Sequence, residues 1–220
     1  MHLKTRGAMK RVLVIEREYG AGASEIAEKV AQRLGWKLLD HALTEEIARI
    51  AKVHPEVCKR REERKDSTLY RLAKVFWRGS SERSARFEDE DLLDADRLVC
   101  LSQQVIEQSA AVGQCVIVGR AAAWFLRNRA DTFCVFLYAP RDVRFHRVLQ
   151  VVKDKAKAID LVDTVDRERR EFIRHYFDAE WPGRQFYHAM LNTAVGIDAT
   201  VDNILNLLGA ANRRGEDSKS

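Results

Sequence analysis

Proline is scarce, at 3 residues in 220, and with a hydrophobic share of 46% the chain has the means to bury a substantial core. No stretch approaches the roughly 18 consecutive apolar residues that span a bilayer as a helix, so no membrane partner is expected. The first ten residues lack the apolar centre of a secretory signal, which makes the cytoplasm the expected location. Residues 1–10 read as a disordered leader, with Met9 as a second candidate start. The four cysteines, Cys58, Cys100, Cys115 and Cys134, form no Cys-x-x-Cys pair, and two of them sit inside apolar runs. They read as small core residues in a reducing compartment. Six histidines show neither His-x-x-x-His nor His-Glu-x-x-His spacing, which speaks against a protein-bound zinc site, and no Gly-x-Ser-x-Gly elbow suggests a hydrolase. Nor does one sign of charge dominate: Lys and Arg number 38 against 33 Asp and Glu, a net of +5. That mild basicity suits a phosphorylated ligand. It is too weak for a nucleic-acid surface, and the short basic runs at 59–65 and 153–157 lack interleaved aromatics.

What the chain does contain is an alternation of short apolar runs and amphipathic stretches. Arg11-Val-Leu-Val-Ile-Glu16 is a β-branched run of the kind that fills a strand covered on both faces. A small-residue loop follows, and then Ile26, Ala27, Val30, Ala31 and Leu34 repeat at helical spacing up to Gly35. Residues 36–39 form a second strand ending at Asp40. Helical periodicity returns at 92–111, a buried strand at 115–118 runs into Gly119-Arg120, and a fourth strand occupies 133–138. Beyond Ala139-Pro140 come a helix at about 142–152, a lysine-rich hinge at 153–157 and a long charged helix at 159–177. A fifth strand at 187–193, a closing helix at 200–208 and a disordered tail at 211–220 complete the chain. Residues 41–91, with a charged and turn-rich middle, read as an inserted helical lobe, so that 11–210 make a single domain. Strands alternating with helices predict an α/β fold, a parallel sheet of about five strands with helices on both faces and ligands beyond the carboxyl ends of the strands.

The segment after the first strand matches part of a phosphate-binding loop. Set against Gly-x-x-x-x-Gly-Lys-Ser/Thr, it offers Arg17-Glu-Tyr-Gly-Ala-Gly22-Ala23-Ser24: the last glycine and the serine fit, while Arg17 and Ala23 replace the first glycine and the lysine. Taken alone, the loop is equally an ordinary strand-to-helix turn with Ser24 as the N-cap.

The wider pattern resembles the cytidylate kinase-like family of P-loop kinases. The matching pieces are the loop through Ala27, Leu34-Gly-Trp-Lys-Leu-Leu-Asp40, Val116-Ile-Val-Gly-Arg120, Val135-Phe-Leu-Tyr-Ala-Pro140 with Arg144 and Arg147, Asp166-Arg-Glu-Arg169 and Leu191-Asn-Thr193. The resemblance implies a three-layer P-loop kinase fold with a lid at about 153–177. It also implies a triphosphate lined by Gly20, Ala21, Gly22, Ala23 and Ser24, with Ser24 as the Mg²⁺ ligand. Arg17 is the candidate to supply the charge that Ala23 lacks. Asp40 and Arg120 would meet the acceptor, although Asp40 is also a good N-cap for a helix at 41–51. Arg167, Arg169 and Arg170 would close over the phosphates, with Asp166 orienting one of them or sitting near the acceptor phosphate. The alternative for that helix is a solvated face with Asp163–Arg167 and Asp166–Arg170 pairs. Where true cytidylate kinases carry an Asp after Gly-Arg and an acceptor-contacting Arg, this chain has Ala121 and Glu46, so base specificity does not carry over. The implied activity is ATP- and Mg²⁺-dependent phosphoryl transfer to a nucleoside monophosphate, with CMP or dCMP as first guess. The alternative is a nucleotide-binding sensor of the same fold that has lost catalysis. An apolar helical face at Leu69, Leu72, Val75, Phe76 and Trp77 is a candidate homodimer contact.

Overall fold

The structure, a computed structural model, describes residues 8–40 and 95–217. The inserted lobe, its candidate dimer face, Glu46 and the helix expected at 41–51 lie outside the described residues. The first strand, β1 (Val12–Arg17), is buried at all six positions. It is followed by α1 (Ala23–Leu34), which turns Ile26, Ala27, Val30 and Ala31 to the core and stops at a left-handed Gly35. The chain continues through β2 (Lys37–Leu39), α2 (Ala95–Val112), β3 (Cys115–Val118), the single turn α3 (Ala122–Phe125) and β4 (Thr132–Tyr138). Then come α4 (Arg141–Val152), α5 (Lys155–Phe177), β5 (Ala189–Asn192) and α6 (Ile197–Asp217).

The five strands form one sheet in the order β2-β3-β1-β4-β5, parallel throughout, with Val12 opposite Cys115 on one side and Thr132 on the other. Because side chains alternate along a strand, each strand feeds two cores. Val12, Val14, Ile117, Cys134 and Phe136 pack under α2, α3 and the Phe172–Ile173 end of α5. On the opposite face, Leu13, Ile15, Val116, Phe133, Val135 and Leu137 pack under α1 and under Val201, Ile204 and Leu208 of α6. The expected three-layer α/β architecture is therefore present. A third, smaller cluster joins Tyr19 of the loop to Val148 of α4 and to Ala158, Leu161, Val162 and Val165 of α5. Lys29–Asp198 and Arg33–Asp202 pairs tie α1 to α6 at the surface, where solvent screening keeps such pairs weak. No helix among the described residues is long and apolar enough to cross a membrane.

Three local expectations are corrected. Instead of a lysine-rich hinge, α4 and α5 are separated by Lys153, left-handed with φ 55°, and Asp154, whose side chain accepts the Lys157 N–H. A charge run suggests a hinge by composition, but a capping aspartate needs one residue only. At the C-terminus, α6 runs on to Asp217 rather than giving way to a disordered tail near 211, since Ala211 still packs on the core shared with α1. Lys10 is not part of a loose leader either. It is buried, its N–H donates to Asn212 Oδ1 at 2.6 Å, and its Nζ donates to the Ala130 carbonyl at 2.6 Å.

Candidate phosphate site

Between β1 and α1 the backbone does what only glycine allows easily. Gly20 and Gly22 have φ of 79° and 78°. A Cβ at Gly20 would lie 2.9 Å from both the Arg144 carbonyl oxygen and Val148 Cγ2, and one at Gly22 would lie 2.9 Å from Ile197 Cδ1. The Ala21 N–H closes a turn onto the Glu18 carbonyl at 3.2 Å. Gly22, not Ser24, is the N-cap of α1, and no side chain caps the helix. Its first internal bond runs from the Ile26 N–H to the Gly22 carbonyl. The N–H groups of Ala23, Ser24 and Glu25 therefore project from the positive end of the helix dipole. Ser24 lies in the first turn, and its buried Oγ has no hydrogen-bond partner among the described residues. A serine serving as N-cap would have used that oxygen.

Cations reach this loop from the helices after β4. Arg147 Nη1 lies 3.5 Å from where a Cβ on Gly22 would be, and the same guanidinium is held by Thr193, through Oγ1 at 2.7 Å and the carbonyl at 2.9 Å. Arg144 donates from Nη1 to Asp166 Oδ2 at 2.8 Å and to the Tyr19 carbonyl at 3.3 Å, and its Nε lies 3.2 Å from Glu18 Oε2. The other Asp166 oxygen accepts the Tyr19 N–H at 2.9 Å and Arg169 Nη1 at 3.1 Å. Arg169 Nη1 also donates to the Arg17 carbonyl at 2.9 Å, and the guanidinium sits 5.9 Å from the Tyr19 ring centre. One carboxylate thus locks the loop to both α4 and α5.

The sequence pattern singled out Arg167, Arg169 and Arg170, but of these Arg169 alone meets the loop. Arg167 and Arg170 are exposed, and Arg170 donates to the Trp181 carbonyl at 3.3 Å. The i to i+4 pairs do not form either: Asp163 engages Arg141 through both oxygens, and Asp166 engages Arg144 and Arg169. The sequence alone assigns no role to Arg144 and Arg147. Their i, i+3 spacing just after the Pro140 strand exit was the available signal.

A second cluster occupies the ends of β1, β2 and β3. Arg17, Asp40, Arg120 and Glu16 are 5%, 5%, 4% and 4% exposed. Arg17 does not reach towards Ala23. Its guanidinium lies against Gly119, where a Cβ would stand 1.6 Å from Nη1. The turn Gly119-Arg120-Ala121 is left-handed at all three residues, with φ of 67°, 56° and 55°. That conformation costs a non-glycine residue about 1–2 kcal/mol, and strain of this kind gathers at binding sites. Burial pushes the Arg17 guanidinium down to about 9, with Arg169 and Arg120 adding repulsion and Glu16 and Asp40 opposing it. Burial likewise lowers Arg120 to about 10 against the attraction of Asp40. Glu16 is raised by burial, although Arg17, Arg169 and the Ala123 N–H stabilise its charge. Asp40 Oδ1 is buried with no hydrogen-bond partner among the described residues.

Among solved structures, the fold is similar to an uncharacterized protein from Eubacterium ventriosum, 18% identical, covering 91% of this chain and 99% of that one at a TM-score of 0.65. It is also similar to a gluconokinase from Sinorhizobium meliloti, at 14% identity, 93% and 95% coverage and a TM-score of 0.55. A shikimate kinase from Bacteroides thetaiotaomicron follows at 15% identity, 92% and 99% coverage and a TM-score of 0.51. Identities this low show the kinase-like fold alone. No curated protein matches the sequence. The model of the cytidylate kinase-like family, however, matches residues 12–195, which takes in both clusters and every strand. On that match the chain belongs to the cytidylate kinase-like family.

Proposed function

We propose that the protein is an ATP-dependent phosphotransferase whose acceptor is a nucleoside monophosphate, CMP or dCMP in the first instance. The observation that carries this is the Ser24 hydroxyl, a buried oxygen without a partner among the described residues, set among the projecting N–H groups of α1 and behind a glycine with no room for a side chain. Such a cradle fits a triphosphate, and a neutral hydroxyl in that position fits Mg²⁺, which favours oxygen ligands. Bound there, the ion would neutralise charge shared between the outer phosphates. The remaining work falls to this chain's own groups. Phosphoryl transfer asks little covalent chemistry of a protein, so positioning and cations supply most of the rate. Arg147, Arg144 and Arg169 take the place of the missing loop lysine, and Asp166 fixes the last two against the loop. Arg120 and Asp40 stand on the acceptor side.

A coupled assay of ADP release with CMP, dCMP, UMP, AMP and GMP tests the reading, and turnover with at least one is the expected result. Ala23 in the lysine position motivates the alternative, a nucleotide-binding sensor without catalysis. A rise in melting temperature with Mg-ATP but no turnover on any acceptor selects that alternative. No rise at all rejects both.

A further inference from the structure

Arg17 presents a physical problem that the phosphate loop does not solve. Arg17 is 5% exposed, yet its guanidinium makes no hydrogen bond and no ion pair among the described residues, and Nε is buried without a partner there. Glu16 and Asp40 act on it through space only, while Arg169 and Arg120 repel it. A guanidinium stays charged at any pH the protein meets. Burying one unpaired is costly, and an apolar residue at the end of a buried strand would avoid the cost. An arginine serving as a structural brace would be paired.

The direction in which it turns matters. In the order β2-β3-β1-β4-β5, the cations of the phosphate loop come from α4 and α5, which follow β4. Arg17 turns to the other side of β1, onto the β3 turn at Gly119. Arg17 thus lies beyond the carboxyl ends of β1 and β3, where parallel sheets bind ligands, with Arg169 of the loop group the strongest charge repelling it. We infer that Arg17, lying against Gly119 and beside Arg120, forms an anion subsite separate from the phosphate loop, and that this subsite takes the phosphate carried by the acceptor. The inference rests on the phosphotransferase reading for the word acceptor, but not for the anion site itself. Gly119 is then required for the site as well as for the turn, because any Cβ there displaces the guanidinium. A planar fork of donors suits a phosphate better than a point charge does.

Thermal unfolding of the full chain, with the loop saturated by a non-hydrolysable ATP analogue and Mg²⁺, isolates the second site. Adding inorganic phosphate should raise the melting temperature of the wild type by a further 2–4 °C or so. Arg17→Met should lose that increment, keep the response to the analogue, and melt above the wild type without ligands, because it removes an unpaired buried charge. If Arg17→Met keeps the phosphate increment, or loses the analogue response instead, the inference is overturned. Should Arg17→Met not fold, Arg17→Lys decides by kinetics. A rise of about tenfold to a hundredfold in acceptor KM with ATP KM unchanged supports the subsite. A rise in ATP KM alone, or an equal rise in both, places Arg17 at the donor and sinks the idea. Failure of every acceptor to turn over would count against the phosphotransferase reading and leave the phosphate increment as an independent result.

Discussion

At the scale of single residues, charge is used economically around the loop. The Asp166 carboxylate, with its side chain 14% exposed, is shared by Arg144, Arg169 and the Tyr19 N–H. Removing one member of a buried charge network strands the others. Asp166→Ala should therefore lose about 3 kcal/mol or more of stability by urea unfolding, whereas a loss within the range of a surface substitution would show that the loop is anchored elsewhere. His188 is a second sensitive point. Its Nδ1 accepts the Cys134 N–H at 3.0 Å while its ring stacks on Phe133, and burial lowers it to about 4. Protonation there would break the bond. Since the folded value lies below the ordinary one, the stabilisation is complete above about pH 6.5 and is lost as pH falls towards about 4. Melting curves across that window should show a decline worth about 1–2 kcal/mol, reduced by partial exposure, and His188→Gln should flatten it. The partners of these groups are not legible in the sequence, because spacing gives a residue's face but not the groups that face it. The family pattern points to Asp166 and Arg169 and also contains Arg144 and Arg147, but gives the last two no role.

Elements were easier to read than residues, and for a physical reason. The β-branched run in β1, the 3.6-residue spacing in α1 and the stop at Gly35 are local signals that the structure reproduces nearly in place. Reading failed where a single side chain decides an end. Asp154 starts α5 by accepting the Lys157 N–H at 3.0 Å, so five residues that look like a basic hinge contain a break of only two. Asp154→Ala should cost about 1 kcal/mol and lower the melting temperature by about 2–4 °C. No change in a thermal scan would mean that α4 and α5 hold each other through Leu161, Val162 and Val165 without the cap. The same limit hid the length of α6, whose charged final turns resemble a tail until Ala211 is seen against its core.

For the whole molecule, the decisive fact is strand order, which no local pattern encodes. Alternation predicts a parallel sheet, but only the structure places β1 between β3 and β4. That placement sets Arg17 against the β3 turn at Gly119. If the loop binds Mg-ATP as proposed, ligand at about a hundred times its dissociation constant should stabilise the fold by about 2.7 kcal/mol. A melting scan should then show a rise of about 5–10 °C, and a flat response at that excess would rule out a nucleotide cradle.

The loop itself carries no lysine, and this bears on the birth of the protein as well as on its activity. Its glycines lie near position 20, and the arginines that serve it come from 125 and 152 residues further along the chain. A ribosome that has released β1 and α1 has made the N–H groups of the cradle but not its arginines, so the nascent segment lacks the cations that serve it. The arginine contribution comes only once α4 and α5 have docked, because contacts so distant in sequence form late. If the loop binds nucleotide as proposed, its full hold on phosphate accordingly follows the docking of α4 and α5, where a loop with its own lysine would carry that charge from the start.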